Sequence, residues 1–136
     1  MWAERTDVAC ATHARGAVAT FLTRHKCNRL ERNLSTTTVN GRAVGIARST
    51  VRFAGSAAQT AVDFSILVAK GGAGEIDALF RDGKRLPSGP TAVPDPDAFT
   101  ARNNGATVTS IDAWYLSGRT PKDDPKLLEM AESLAS

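Results

Sequence analysis

The stretch "TTTVNGRAVG", residues 36–45, decides the fold. Asn40-Gly41 sets two residues that tolerate positive φ between β-prone runs, the signature of a two-residue hairpin turn. With that turn, Val39 faces Arg42 and the residue numbers of every further pair have the same sum. Leu34 then lies opposite Ala47 and Leu30 opposite Val51, with Phe53 further along the same side, so one face of the hairpin is apolar. The other face pairs Glu31 with Thr50 and Asn33 with Arg48 and is polar. Near the tip, however, Val44 and Ile46 oppose Thr37 and Ser35 on that polar side. They are expected to be exposed there, which makes them candidate residues for contact with a partner.

Working outward, Ala14, Ala17, Val18, Phe21 and Leu22 recur at spacings of three and four, and predict an amphipathic helix from Ala11 to about His25. After the hairpin, Ser56 and Gln59 form a capping-box pattern. Ala57, Ala61, Phe64 and Val68 then make a helical stripe that runs to Lys70-Gly71. "GGAG" (71–74) reads as a flexible link to a short helix in "EIDALFRDG", with Ile76, Leu79 and Phe80 as its apolar side and Gly83 as its cap. "RLPSGPTAVPDP" (85–96) is a proline-rich surface loop. "ATVTSIDAWYL" (106–116) reads as a strand, Val108 and Trp114 on one face and Ile111 and Tyr115 on the other. The last helix starts at Asp124 as N-cap and Pro125, with Leu127, Leu128, Ala131 and Leu134 as its stripe.

The expected architecture is one α+β domain over residues 1–136. An antiparallel sheet of three or four strands carries helices on one face, in the order α-β-β-α-β-α with a short extra helix before the last strand. A further strand is open to "ERTDVA" (4–9). A chain of 136 residues is long enough for a real core, and no segment approaches the roughly 18 apolar residues needed to cross a bilayer.

"CATHARGAVATFLTRHKC" (10–27) offers two thiols and two imidazoles. If residues 11–25 are helical, its ends lie roughly 20–25 Å apart at about 1.5 Å per residue. That is too far for Cys10, His13, His25 and Cys27 to share a zinc ion, and no metal or cofactor is expected. The same distance opposes a Cys10–Cys27 disulfide, so two unpaired cysteines flanking a helix are expected. A bridge stays open only if the helix begins later, near Ala17, with residues 10–16 folded back along it. A cysteine–histidine catalytic pair lacks an orienting third group. Asp112, alone in an uncharged run, is expected to face water or an arginine, and Asp95 and Asp97 in "PDPD" to organise turns. "GGAGEID" lacks both the third glycine of a dinucleotide loop and the oxygen ligands of a calcium loop.

Charge is uneven. Residues 1–70 hold ten Lys or Arg against four Asp or Glu, and residues 71–136 seven against ten. Arg24, Lys26, Arg29 and Arg32 cluster where the first helix meets the hairpin, and Arg24, Arg29 and Arg32 make a candidate basic edge for an acidic partner. No aromatic residues interleave with them as platforms for bases.

The elements W-x4-D-x2-C at the start, "ARGAVATFL", the threonine-rich hairpin, "LFRDGKRLPSGP" and "AWYL" resemble small extracytoplasmic domains found after the membrane anchor of uncharacterised actinobacterial membrane proteins. The resemblance implies a location outside the cytoplasm, with the full-length protein membrane-anchored, and implies no catalytic residues. The function expected is thus a non-catalytic extracytoplasmic domain binding a protein or cell-envelope partner. The alternative is a cytosolic basic protein that binds nucleic acid.

Overall fold

In the computed structural model, which describes residues 2–6, 10–54, 58–70 and 74–136, Asn40 and Gly41 both take positive φ, 49° and 77°. That turn matches the right-handed twist of the strands it joins. The elements are β1 (Trp2–Thr6), α1 (Gly16–Arg24), β2 (Cys27–Val39), β3 (Arg42–Phe53), α2 (Ala58–Ala69), β4 (Ala98–Asn104), β5 (Thr107–Tyr115) and α3 (Pro125–Ala135). Short 3-10 turns stand at Cys10–His13 and Leu79–Asp82. The β2–β3 register is the one that the turn dictates, with Leu34 opposite Ala47 and Leu30 opposite Val51, up to an irregularity between Cys27 and Arg29.

The fold is α+β, with five antiparallel strands in the order β1-β2-β3-β5-β4 rather than three or four. β1 begins at Trp2, earlier than the expected "ERTDVA", whose last residues lie outside the described ones, as does Ser56 of the capping box. The strand absent from the sequence reading is β4. It pairs with β5 from Asn104 opposite Thr107 to Ala98 opposite Ala113, across a second tight turn in which Gly105 has φ 59°.

Helices cover both faces of the sheet, not one. Side chains alternate along a strand, so Leu30, Leu34, Ala47, Val51, Phe53, Val108 and Trp114 share a face. α1 and α2 close over one end of that face. Val18, Leu22, Ala61 and Phe64 pack there on Leu30, Val51, Phe53 and Val108. Leu79 and Phe80 of the second 3-10 turn cover Leu34, Ala47 and Trp114 at the other end. Gly45 is obligatory here, because a Cβ would stand 2.6 Å from the buried Trp114 ring.

α3 lies on the opposite face. Asp124 caps it, accepting from the Leu127 N–H at 3.3 Å, and the Tyr115 hydroxyl donates to the same carboxylate at 2.9 Å. Its stripe of Leu127, Ala131 and Ala135 is buried on Val44, Ile46, Ile111, Ala113 and Tyr115. This corrects the expectation that Val44 and Ile46 are exposed: they are 0% and 6% accessible. An amphipathic helix needs an apolar partner, and the two residues on the polar side of the hairpin supply part of it. Leu134, expected in the stripe, is 40% exposed, and Ala135 takes its place.

α1 begins at Gly16, five residues later than expected, and Cys10–His13 folds back beside it. The Cα atoms of Cys10 and Cys27 are 5.9 Å apart and the two residues form a disulfide. The expectation of unpaired cysteines is therefore overturned through the late helix start. Residues 71–73 of the link expected to be flexible lie outside the described residues. Ala14 and Ile76 form an antiparallel bridge, with Arg15 N–H donating to Glu75 O at 2.8 Å and Asp77 N–H to His13 O at 2.7 Å. Gly74, at φ 101°, lies so close to the Arg15 carbonyl that no side chain would fit.

Candidate functional site: an acid-floored cleft

On the α2 side of the sheet, β3 and β5 carry small polar residues between the two apolar ends of the face. Ser49 lies opposite Ser110, and the next inward residue of β5 is Asp112, opposite Ala47. Small side chains there leave space, and a cleft of about 560 Å³ opens above them. Its walls are the end of α2 (Val68 to Lys70), Gly74 to Ile76, and the segment from Val93 to Asp97, with Lys122 and Asp123 at the rim. Asp97 is brought over Asp112 by the β4–β5 register, which sets Phe99 opposite Asp112, and its carbonyl accepts from the Asp123 N–H at 3.1 Å.

The Asp97 and Asp112 side chains lie close enough to act directly on each other. Neighbouring buried carboxylates repel each other, so the pair favours holding a proton over full ionisation. Burial raises Asp112 well above the ordinary 3.8; Asp97 adds to this through its side chain and its charge, and Glu75 through its charge. Burial also raises Asp97, against the side chain of Asp112, which lowers it, and the charges of Asp95 and Asp123 reinforce the rise. Asp97 Oδ2 is buried without a hydrogen-bond partner among the described residues. Five carboxyl groups against two lysines therefore line the cleft. Such a site attracts a cationic group and can exchange its proton for it. Among the described residues, no group of three or more His, Cys, Asp or Glu is arranged to hold a metal ion.

The residues singled out in the sequence do not converge on one surface. Arg32 is 1% exposed and points inward between Leu30 and Leu34, which corrects its placement on a basic edge. Its guanidinium is bidentate to Asp82, at 2.7 and 3.3 Å, and donates to the Asp77 carbonyl at 3.0 Å. This pins the Leu79–Asp82 turn to the sheet, and the Arg32 hydrogen bond holds Asp82 below 3.8. Arg29 is partly buried on the other face of β2, and Arg24 is exposed in the last turn of α1. Val44 and Ile46 lie beneath α3. Asp112 is half-buried in the open cleft beside Asp97, with no arginine among the cleft's residues. The alternation that grouped Val108 with Trp114 already placed Asp112 on their inner face. Its partner could have been found from Asn104-Gly105, a turn signal of the same kind as Asn40-Gly41.

The chain matches no protein-family model, no curated protein and no solved structure.

Proposed function

We propose that the chain is a non-catalytic binding domain working outside the cytoplasm, which takes a cationic group of a protein or cell-envelope partner into the Asp97–Asp112 cleft. The observation that carries the reading is the pair of neighbouring carboxyl groups, Asp97 and Asp112, at the floor of a cleft large enough for a side chain or amino sugar, with burial raising both above 3.8. A buried acid pair is costly, and a ligand ammonium or guanidinium replaces the pair's proton with a full counter-charge. The extracytoplasmic location is supported by the Cys10–Cys27 disulfide, since such bridges persist in oxidising compartments and are rare in the cytosol. The same bridge counts against the cytosolic nucleic-acid reading, which also loses Arg32 to the interior.

Calorimetric titration of the chain with trilysine tests this. Binding should tighten as pH rises through the pair's raised range, above the ordinary 3.8, because the ionised pair is the binding form, and should release protons. It should weaken at least tenfold in Asp97→Asn/Asp112→Asn. Equal affinity in that variant, or affinity independent of pH, would contradict the reading.

A further inference from the structure

The sheet face that carries α3 is only partly covered. α3 packs over β4, β5 and the Val44–Ile46 end of β3, which leaves β1, β2 and the rest of β3 on that face without a covering element among the described residues. This bare part is floored by hydroxyl and amide side chains, Asn33 and Ser35 on β2 and Thr50 on β3, and carries Arg48 and Arg52. Both arginines are exposed, and neither makes a hydrogen bond or ion pair with another described residue. Four residues apart on one strand, they stand roughly 13 Å apart at about 3.3 Å per residue. A groove of about 440 Å³ runs between this floor and α3, with Arg48 in it and Met130 and Leu134 as its far wall. The register adds Arg29 opposite Arg52 at one end, while Glu31, opposite Thr50, is the acidic neighbour.

We propose that this face docks a linear phosphodiester polymer of the cell envelope, with Arg48 and Arg52 holding two phosphates, Thr50 beneath the polyol or sugar between them, and Asn33 and Ser35 binding the next unit in the groove beyond Arg48. Charge complementarity selects a polyanion, and arginine forks suit phosphate oxygens. An envelope polymer is favoured over nucleic acid by two observations. Trp2 lines the end of the groove, but it pairs with Leu34 of the opposite face, where its indole N–H donates to Arg85 O and Lys84 stands over its ring. The floor itself therefore offers no aromatic ring on which a base could stack, and the Cys10–Cys27 bridge points outside the cytosol, the same support on which the location proposed above rests. The surface is separate from the acid-floored cleft, which opens on the other face.

The test is binding of fluorescein-labelled poly(glycerol phosphate) to the full chain at low and rising salt, beside labelled dT20 and neutral dextran. The expected result is binding of the first, little of the others, and a loss of about tenfold or more in Arg48→Ala/Arg52→Ala. The slope of log affinity against log salt should fall by about 1.4, from two phosphate contacts at about 0.7 each. Arg48→Lys/Arg52→Lys should fall between wild type and the alanine pair, and Asp97→Asn/Asp112→Asn should bind the polymer like wild type, so failure of the cleft and failure of this face are told apart. Circular dichroism melts check that each variant folds. No binding by wild type, undiminished binding by the alanine pair, or equal or tighter binding of dT20 would overturn the proposal. Sedimentation showing self-association that the alanine pair abolishes would instead make the occupant a second copy, and would overturn it too.

Discussion

Two buried residues carry unusual weight. Trp114 fills the inner face only because Gly45 opposite it has no side chain. Gly45→Ala should therefore lower stability by about 1–3 kcal/mol, the cost of overpacking, and shift the tryptophan emission. Urea unfolding followed by fluorescence reads both. Arg32 is a charge taken into the core, and it keeps its place because Asp82 and the Asp77 carbonyl satisfy it. Arg32→Ala leaves Asp82 able to turn to water, since that side chain is 31% exposed. The expected loss is therefore about 3 kcal/mol, the lower end for breaking a buried pair. A loss under about 1 kcal/mol would mean that the Leu79–Asp82 turn is held by its apolar residues alone.

Among the elements, the β2–β3 hairpin was fully legible, because a two-residue turn fixes register and register fixes faces. Three features resisted for different physical reasons. The helical stripe 14–22 is compatible with a start at Ala11 or at Gly16, and only tertiary contact decides. The Ala14–Ile76 bridge and the disulfide hold residues 10–15 out of the helix. Val44 and Ile46 sit on a face that is polar within the hairpin, and nothing local says that a helix eighty residues later will cover them. β4 was missed although "RNNGAT" carries a turn signal, because its own strand, "AFTARNN", has little apolar alternation at an edge position. The candidate site suffered from that omission, since Asp97 meets Asp112 only through the β4–β5 register. The Cys10–Cys27 bridge, with a separation of 17, should contribute about 3 kcal/mol by constraining the unfolded chain. Reduction, or replacement of both cysteines by serine, should lower the urea midpoint accordingly. An unchanged midpoint would show that the Ala14–Ile76 bridge suffices to hold the segment.

At the scale of the whole molecule, one face of the sheet holds an acid-floored cleft and the other a bare arginine-bearing surface, with α3 and the α1–α2 pair dividing the coverage between them. The acid pair makes stability depend on pH with a definite sign. Asp97 and Asp112 bind protons more tightly folded than at the ordinary 3.8. Their contribution is therefore complete below 3.8 and is lost as pH rises through the pair's raised range. Asp82 has the opposite sign, since its value is lowered, and its contribution is lost as pH falls below 3.8. The urea midpoint should thus be highest in mild acid, with Asp112→Asn removing the fall toward neutral pH and Asp82→Asn the fall toward strong acid.

The most direct test of the binding account is the side-chain carboxyl ¹³C titration of Asp97 and Asp112, in the free chain and with saturating trilysine. The account predicts that the free pair keeps one proton well above pH 3.8 and gives it up at lower pH when the peptide is bound. A pair that titrates near 3.8, or whose titration the peptide leaves unmoved, would contradict it.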